Sequence, residues 1–260
     1  MVDGVLSQDA LKVENISVRF GGILALDDVT FDVRRGDICA LIGPNGAGKS
    51  TLFNCISGMY TANAGRISFE GHELFRMPTR SRAGIGIGRT FQNLALFPTM
   101  TVMENILVGT HSTRQGGVVG MALRLPSAQR AEVAAREHAE QLIEFLDLHE
   151  VAERPVGDLP FGIQKRVELG RALAGNPRLL LLDEPACGLN HDELHRLGAL
   201  IRQIRDALQV TTLLVEHHMG LVMDISDHVV ALNFGKKICE GTPDRVARDA
   251  QVIAAYLGTE

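Results

Sequence analysis

Residues 43–51 read Gly-Pro-Asn-Gly-Ala-Gly-Lys-Ser-Thr, and they directly follow the apolar run Ile-Cys-Ala-Leu-Ile at 38–42. This order predicts a short buried strand, a glycine-rich loop and a helix that begins at Lys49. It is the pattern G-x-x-x-x-G-K-[ST] of a phosphate-binding loop, in the strand–loop–helix context that supports it. The alternative is a glycine-rich turn that binds nothing, and the residues downstream weigh against it. We therefore predict that the loop binds a nucleotide through its phosphates.

The chemistry of the predicted loop follows from its residue types. Glycines allow backbone N–H groups to turn inward around phosphate oxygens, and the N-terminus of the following helix adds free N–H groups and a positive dipole end. Lys49 can reach the outer phosphates, and the Ser50 hydroxyl can bind Mg²⁺. The predicted nucleotide-binding residues of the loop are Gly43, Pro44, Asn45, Gly46, Ala47, Gly48, Lys49, Ser50 and Thr51.

Composition narrows the class of protein. The 260 residues are 45% hydrophobic and 22% charged, with a formal net charge of −5, so we expect one large α/β domain or two small ones with a substantial core. The mild acidity argues against a nucleic-acid partner. The sequence shows no apolar stretch of about 18 residues and no secretory signal pattern, and its cysteines lack metal-ligand spacing. We therefore expect a cytosolic protein with reduced thiols.

The remaining pattern predicts how the chain is organised around the loop. Alternating apolar residues at 11–18 and 29–33 predict two strands, and hence an extra antiparallel sheet, before the loop. Helical spacing over about 100–174 predicts an inserted helical subdomain. Three later apolar runs predict buried strands of a parallel sheet, and they lie at 179–182, 211–215 and 228–234. The predicted fold class is α/β: a P-loop NTPase core with a parallel sheet, an N-terminal antiparallel β subdomain and an inserted helical subdomain.

Two amphipathic helices are predicted in the second half of the chain. After Ser127, one helical face carries Ala135, His138, Leu142, Phe145 and Leu146. A second helix is predicted from about His191, and its inward residues are Leu194, Leu197, Ile201, Ile204 and Leu208.

Two acidic residues, Asp183 and Glu184, follow the apolar run at 179–182. A carboxylate at the end of this strand is placed to hold Mg²⁺, directly or through water, and we assign that role to Asp183. Glu184 is the candidate that polarises the attacking water. The alternative is a strand that simply ends at polar residues, and the phosphate-loop pattern upstream disfavours it.

Taken together, these motifs resemble the ATP-binding subunit of an ABC transporter, and the resemblance covers nearly the whole chain. It implies that Phe20, in the first strand region, stacks on the adenine base. It implies that Gln92, in Arg-Thr-Phe-Gln-Asn at 89–93, contacts Mg²⁺ and senses the γ-phosphate. It also implies that His217, after the strand that follows the two acids, acts as the switch histidine. The implied ligands are ATP and Mg²⁺, and the implied activity is ATP hydrolysis.

The family also carries a signature segment, Leu-Ser-Gly-Gly-Gln, which in a dimer binds the γ-phosphate held by the opposite subunit. This chain has Leu-Pro-Phe-Gly-Ile-Gln at 159–164. Pro160 lacks both a hydroxyl and a backbone N–H, and Phe161 stands where the family has glycine. Gly162 keeps one place for close backbone approach, and it is the residue we expect at the nucleotide of the second subunit. The loop after the two acids also differs from the family pattern: it reads Cys-Gly-Leu-Asn at 187–190, where Ser-Ala-Leu-Asp is common in the family.

These two departures and the ending, with Glu-Gly-Thr-Pro at 240–243 and Ala-Tyr-Leu-Gly at 255–258, are similar to the LivG-type ATPases of branched-chain amino acid uptake systems. The resemblance implies a subunit that powers an importer for branched-chain or related amino acids. The implied partners are a second ATPase subunit, either a different chain or a second copy, two membrane permeases and, indirectly, a secreted solute-binding protein. The implied location is the cytoplasmic face of the membrane, and the segment at 94–101 is the expected permease contact.

Two other functions stay open at this point. An ABC ATPase of a lipid or lipopolysaccharide exporter shares the core but usually keeps serine in its signature. A soluble ABC ATPase acting on DNA or in translation carries a long coiled coil or a second ATPase domain. On the leading interpretation, residues 1–260 form a single ABC ATPase domain. Its predicted parts are the core with the β subdomain at 11–92 and 175–245, the helical subdomain at about 93–174 and a C-terminal helical tail at 246–260.

Overall fold

The computed structural model of this chain describes residues 9–90, 94–110 and 126–257, which form two β-sheets with helices packed around them. In chain order the strands and helices are β1 (Asp9–Phe20), β2 (Ile23–Arg34), β3 (Ile38–Ile42), α1 (Lys49–Ser57), β4 (Ala64–Phe69), β5 (His72–Glu73), α2 (Arg80–Gly84), β6 (Ile87–Arg89), α3 (Val102–Gly109), α4 (Pro126–Phe145), α5 (Phe161–Leu173), β7 (Leu179–Asp183), α6 (His191–Leu208), β8 (Thr211–Val215), α7 (Met219–Ile225), β9 (His228–Asn233), β10 (Lys236–Gly241), α8 (Pro243–Ala247) and α9 (Ala250–Leu257).

The first sheet is antiparallel and has the strand order β2-β1-β4-β5. Its two long strands alternate as the sequence predicts, so that one face of each strand is buried and the other faces solvent. The buried residues of this face include Leu11, Val13, Ile16, Val18, Val29, Phe31 and Val33. This sheet is the N-terminal antiparallel subdomain that the sequence predicts.

The second sheet has the order β10-β9-β3-β8-β7-β6, in which only β10 runs antiparallel to its neighbour. Strands β3, β7 and β8 are buried along their whole length, which explains why each reads as a continuous apolar run. Alternate residues of β3 face two separate cores: Ile38, Ala40 and Ile42 pack with the helices α3 to α6, whereas Cys39 and Leu41 pack with α1 and the antiparallel sheet.

The described helices between β6 and β7, which are α3, α4 and α5, cover one face of the parallel sheet. The predicted face of α4 is buried at Ala135, Leu142 and Leu146, and it packs in the same core as α3 and α5. The parallel sheet, the antiparallel sheet and the inserted helices together confirm the predicted fold class. The predicted domain boundaries stay predictions.

Two residues behave differently from their predictions. Leu208, predicted to face inward, is 42% exposed because it is the last residue of α6, where the chain turns away at Gln209 with a left-handed φ of 52°. Phe234, predicted inside the last buried strand, lies in the turn after β9 and is exposed. In both cases the apolar sequence pattern extends to a residue at or beyond the end of the helix or strand, where the chain is no longer buried in the core.

Candidate functional site

The carboxyl ends of three neighbouring parallel strands meet at one edge of the sheet. In the strand register, Val215 at the end of β8 pairs with Leu41 of β3 on one side and with Asp183 of β7 on the other. The glycine-rich loop follows β3, Asp183 ends β7 and Glu184 follows it, and the histidine segment follows β8. The sheet therefore brings together the three segments that the sequence singles out, which is where open α/β sheets bind ligands.

Glycine is required at two positions of the loop by close backbone contacts. A Cβ at Gly43 would lie 2.2 Å from the carbonyl oxygen of Leu232, and one at Gly48 would lie 2.7 Å from that of Ala25. Both residues also have positive φ, 149° and 99°, which side chains disfavour. Gly48 is the N-cap of α1 and provides no capping side chain, so the first N–H groups of α1 face the loop. This is the geometry of an anion site.

Lys49 is buried at the first turn of α1, with its ammonium group directed back into the loop. Nζ donates to the carbonyl oxygens of Gly43 at 2.7 Å and Pro44 at 3.0 Å. Burial lowers the pKa of the Lys49 ammonium, and the nearby Glu184 carboxylate opposes that shift. The loop carbonyls therefore hold the ammonium group in the same cleft as the candidate catalytic acid.

A cleft of about 360 Å³ opens in front of the loop. Its walls combine the loop with the acid that follows β7, with the start of β2 and with the turn after β9. The lining residues are Ile23, Leu24, Ala25, Asn45, Gly46, Ala47, Gly48, Lys49, Ser50, Thr51, Glu184, Phe234 and Gly235. Glu184 reaches this cleft with a left-handed backbone φ of 46°, an unusual conformation for a residue other than glycine and one that is concentrated at functional sites.

The predicted base contact, Phe20, does not line this cleft. Its side chain is 46% exposed and packs edge-on against Tyr60, with ring centroids 5.2 Å apart. The apolar wall of the cleft comes instead from Ile23, Leu24 and the exposed ring of Phe234. The role of Phe20 stays a prediction. Gln92, predicted to contact the metal, lies outside the described residues.

Asp183 forms an ion pair that the sequence analysis missed. Its Oδ2 accepts from Nη2 of Arg89 at 3.0 Å, and both side chains are nearly buried. Arg89 also donates to Asn54 Oδ1 at 3.0 Å and to Ser57 Oγ, and its guanidinium lies 5.1 Å from the ring centroid of Phe53. Arg89 therefore links the acid at the end of β7 to the helix that follows the phosphate loop. The only sequence signal was a lone charge at the end of a short apolar strand.

Replacing Arg89 by Met should lower the free energy of unfolding by about 3 kcal/mol, because the nearly buried carboxylate of Asp183 would lose its counter-charge. Urea denaturation without nucleotide measures the effect. The matched control is Arg136→Met, which removes an exposed ion pair with Glu140 on α4 and should change stability by less than about 1 kcal/mol. Equal effects of the two substitutions would show that Arg89 does not stabilise the strand end.

Glu216 is a second residue that the sequence analysis passed over. It is fully buried directly after β8, and its carboxylate accepts three backbone hydrogen bonds. Oε1 accepts from Ala186 N–H at 2.8 Å, and Oε2 accepts from the N–H groups of His217 at 2.8 Å and His218 at 2.9 Å. Glu216 therefore ties the loop after Glu184 to the histidine segment. Its signal was an acid immediately after an apolar strand, the same pattern that indicated Asp183.

His217 lies where the sequence predicts, just past the end of β8. Its ring is about half exposed and its Nδ1 lies 3.9 Å from Oε2 of Glu216. The backbone of this residue is held by Glu216, whereas its imidazole is left accessible at the edge of the sheet. This arrangement is compatible with the predicted switch role, which stays a prediction.

The signature-like segment faces a different cleft. Pro160 is the N-cap of α5, and Gly162 lines a cleft of about 640 Å³ between α5 and α6. The ring of Phe161 lies 3.0 Å from where a Cβ would stand on Gly188. The two departures from the common family pattern therefore fit each other, because a Cβ at 188 would press tightly against this ring and Gly188 has a left-handed φ of 81°. Among the described residues, Gly162 is not part of the cleft at the phosphate loop.

The oxygen donors near the loop suit a hard divalent cation. Ser50 lines the cleft, and Asp183 places a carboxylate at the end of β7, which is separated from β3 by β8. Mg²⁺ prefers oxygen ligands and is commonly held by one or two protein groups together with substrate phosphates. The residues present therefore fit the predicted metal.

A phosphate loop at the carboxyl edge of a parallel sheet, with an antiparallel sheet and inserted helices beside it, defines the protein as an ATP-binding cassette. The chain belongs to the ABC transporter family, whose model matches residues 26–187. Residues 236–260 match a second model, described as branched-chain amino acid ATP-binding cassette transporter. The family predicted from the sequence is thereby confirmed, and the protein is an ATPase subunit of that family.

The chain is similar to named transport proteins over almost its full length. It is 42% identical over 253 residues to the high-affinity branched-chain amino acid transport ATP-binding protein BraF of Pseudomonas aeruginosa, covering 97% of this chain and 99% of BraF. It is 41% identical to LivG of Escherichia coli, which carries the same description, with the same coverage. An ATP-binding cassette of an ABC transporter solved in its ADP conformation is 34% identical, with a TM-score of 0.84, covering 96% of this chain and 99% of that chain.

These relatives do not favour the lipid-exporter or soluble ABC ATPase alternatives. In the part of the chain that the structure describes, none of the helices combines the length and apolar character needed to cross a bilayer.

Proposed function

We propose that this chain binds ATP with Mg²⁺ and hydrolyses it to power import of branched-chain or related amino acids. The observation that carries the proposal is the cleft in which the phosphate loop and Glu184 face each other. Phosphoryl transfer to water needs a cradle for the phosphates and a group that orients the attacking water. One cleft of this chain combines both, and the relatives supply the expectation of amino-acid transport.

In the proposed mechanism, the loop N–H groups and Lys49 bind the phosphates and stabilise charge on the transferring group. Glu184 orients or deprotonates the attacking water, and His217 contacts the γ-phosphate. Ser50, Gln92 and Asp183 would hold Mg²⁺, which when bound offsets negative charge on the phosphates. Arg89 and Glu216 do not touch the nucleotide in this scheme. They position Asp183 and the segments on either side of the reacting group.

We propose that a second ATPase subunit, a different chain or a second copy, completes the site. Gly162 and the loop that carries Glu184 belong to different clefts of this chain, which supports action of the signature segment on a nucleotide bound elsewhere. Closure of the two subunits would exclude bulk water while leaving the attacking water in place, and would bring the N-terminus of α5 of one subunit to the phosphate bound by the other.

We further propose contacts with two membrane permeases at the cytoplasmic face of the membrane, and an indirect link to a secreted solute-binding protein. The segment at 94–101 lies directly before α3, and the side chain of its Phe97 is about half exposed. An exposed aromatic ring next to the helical region suits a helix-binding groove better than it suits the core. The acidic net charge of −5 offers no support for a nucleic-acid partner.

Purification and reconstitution test the proposal. The chain is expressed with a candidate second ATPase and two permeases, purified through a tag on this chain, and placed in vesicles with the solute-binding protein. We expect magnesium-dependent ATP hydrolysis and uptake of leucine, isoleucine or valine. Absence of magnesium-dependent ATP binding would overturn the nucleotide site. Hydrolysis without amino-acid uptake, combined with lipid stimulation or bound nucleic acid, would overturn the transport assignment.

A further inference from the structure

The C-terminal helix α9 reaches the first residue of the phosphate loop. The backbone N–H of Gly43 donates to the phenolic oxygen of Tyr256 at 2.8 Å. The two residues are 213 positions apart in sequence. Tyr256 belongs to the Ala-Tyr-Leu-Gly ending at 255–258 that the sequence analysis noted, and the mechanism above gives this ending no role.

Helix α9 is anchored independently of that hydrogen bond. Val252 is buried in the core that lies on the helical face of the parallel sheet. The carboxylate of Asp249 accepts from the N–H groups of Gln251 at 2.9 Å and Val252 at 3.2 Å, which fixes the start of the helix. These contacts fix the position of α9, and α9 in turn places the phenol of Tyr256 next to the loop.

Both backbone polar groups of Gly43, its N–H and its carbonyl oxygen, form hydrogen bonds with side chains. Its N–H bonds to Tyr256, and its carbonyl oxygen accepts from Nζ of Lys49 at 2.7 Å. Gly43 is buried and packs against the carbonyl oxygen of Leu232. A buried N–H that loses its acceptor is costly, so the backbone at Gly43 would shift to find another partner. Such a shift would move the carbonyl group that orients Lys49.

We propose that Tyr256 is a positioning residue for the phosphate loop: its hydroxyl holds the Gly43 peptide so that Lys49 and the loop N–H groups are arranged for nucleotide phosphates. This inference rests on the proposed function of the same site. It assigns to the C-terminal ending an indirect part in nucleotide affinity. Tyr256 acts through Gly43 and does not touch the nucleotide.

The test is Tyr256→Phe in the full chain, which removes the hydroxyl and keeps the ring. Titration with a fluorescent ATP analogue and Mg²⁺ should show a dissociation constant raised about tenfold, because displacement of Gly43 and Lys49 weakens their arrangement around the phosphates; a tenfold change lies within the cost of one unpaired buried donor. Amide hydrogen exchange at Gly43 should become faster. The matched control is Leu257→Ala, an exposed neighbour on the same helix, which should leave the affinity within about twofold, below the effect of a lost hydrogen bond.

Unfolding is measured in parallel without nucleotide. If Tyr256 served only the stability of α9, the phenylalanine variant would unfold at a lower denaturant concentration yet bind the nucleotide normally, and the inference would be overturned. Unchanged exchange at Gly43 would also overturn it. If the unaltered chain bound no nucleotide, the proposed function itself would fail, and this role with it. Normal binding by the unaltered chain with equal binding by Tyr256→Phe would remove only the role of Tyr256.

Discussion

Glu184→Gln is expected to bind ATP and Mg²⁺ with nearly normal affinity and to hydrolyse ATP about 10²–10⁴-fold more slowly, the usual contribution of a positioned general base. An amide oxygen can still accept a hydrogen bond from water, but it cannot take up the proton. The backbone of residue 184 is held independently of its side chain, because its N–H donates to Val215 O at 2.9 Å and its carbonyl accepts from Cys187 N–H at 3.1 Å. The substitution should therefore change the chemistry without changing the fold.

Phosphate release by the assembled transporter measures this effect, and nucleotide titration measures binding. Glu153→Gln is the control, since it makes the same substitution at an exposed position away from the cleft. The control should hydrolyse ATP at the rate of the unaltered protein. Turnover of Glu184→Gln within about threefold of normal, well below the loss expected for a base, would remove Glu184 from its proposed role.

The largest stability effect is expected from Glu216→Ala, which should lower the free energy of unfolding by about 4 kcal/mol. The substitution leaves three backbone N–H groups, those of Ala186, His217 and His218, without the carboxylate they share. The Ala186 N–H is buried and those of His217 and His218 are partly buried. An unpaired buried donor costs about 1–3 kcal/mol, and access of water reduces the cost at the two partly buried groups. We also expect slower ATP hydrolysis, because the segments carrying Glu184 and His217 would lose their common anchor.

Urea denaturation of the two proteins gives the difference in stability. Glu216→Gln is the graded comparison, because its amide keeps one oxygen acceptor but turns an NH₂ group toward the remaining donors. It should lie between the alanine variant and the unaltered protein. A loss below about 1 kcal/mol for Glu216→Ala, less than one unpaired donor should cost, would show that the three N–H groups find other partners readily.

Much of the fold could be predicted because its signals are local. The run at 38–42 and the glycine loop after it are contiguous, and the helix must begin where Lys49 follows Gly48. The first two strands alternate between apolar and polar residues because only one face of each is buried. Strands β7 and β8 are continuously apolar because both faces are buried. Leu208 was misjudged because hydrophobic periodicity does not indicate where a helix leaves the core.

Parts of the candidate site were predictable for a related reason. Asp183 and Glu184 follow a buried strand, and the carboxyl ends of parallel strands share one edge, so their approach to the loop follows from the fold class. The supporting residues were not predictable. Arg89 of β6 pairs with Asp183 of the adjacent strand β7. Glu216, which follows β8, binds Ala186 in the loop that follows β7. A lone arginine or glutamate gives no sign of its partner until the register of the strands is known.

The sequence by itself determined that this chain has a P-loop, because a phosphate cradle is built from consecutive residues whose conformations are set by glycine, lysine and the start of a helix. The further motifs identified the ABC family by resemblance. Only the tertiary structure decided how that cradle is held. The contact of Tyr256 with Gly43, the ion pair of Arg89 with Asp183 and the fit of Phe161 to Gly188 join residues that are distant in sequence. Such contacts depend on packing geometry at the scale of a single ångström, which residue type and spacing do not encode.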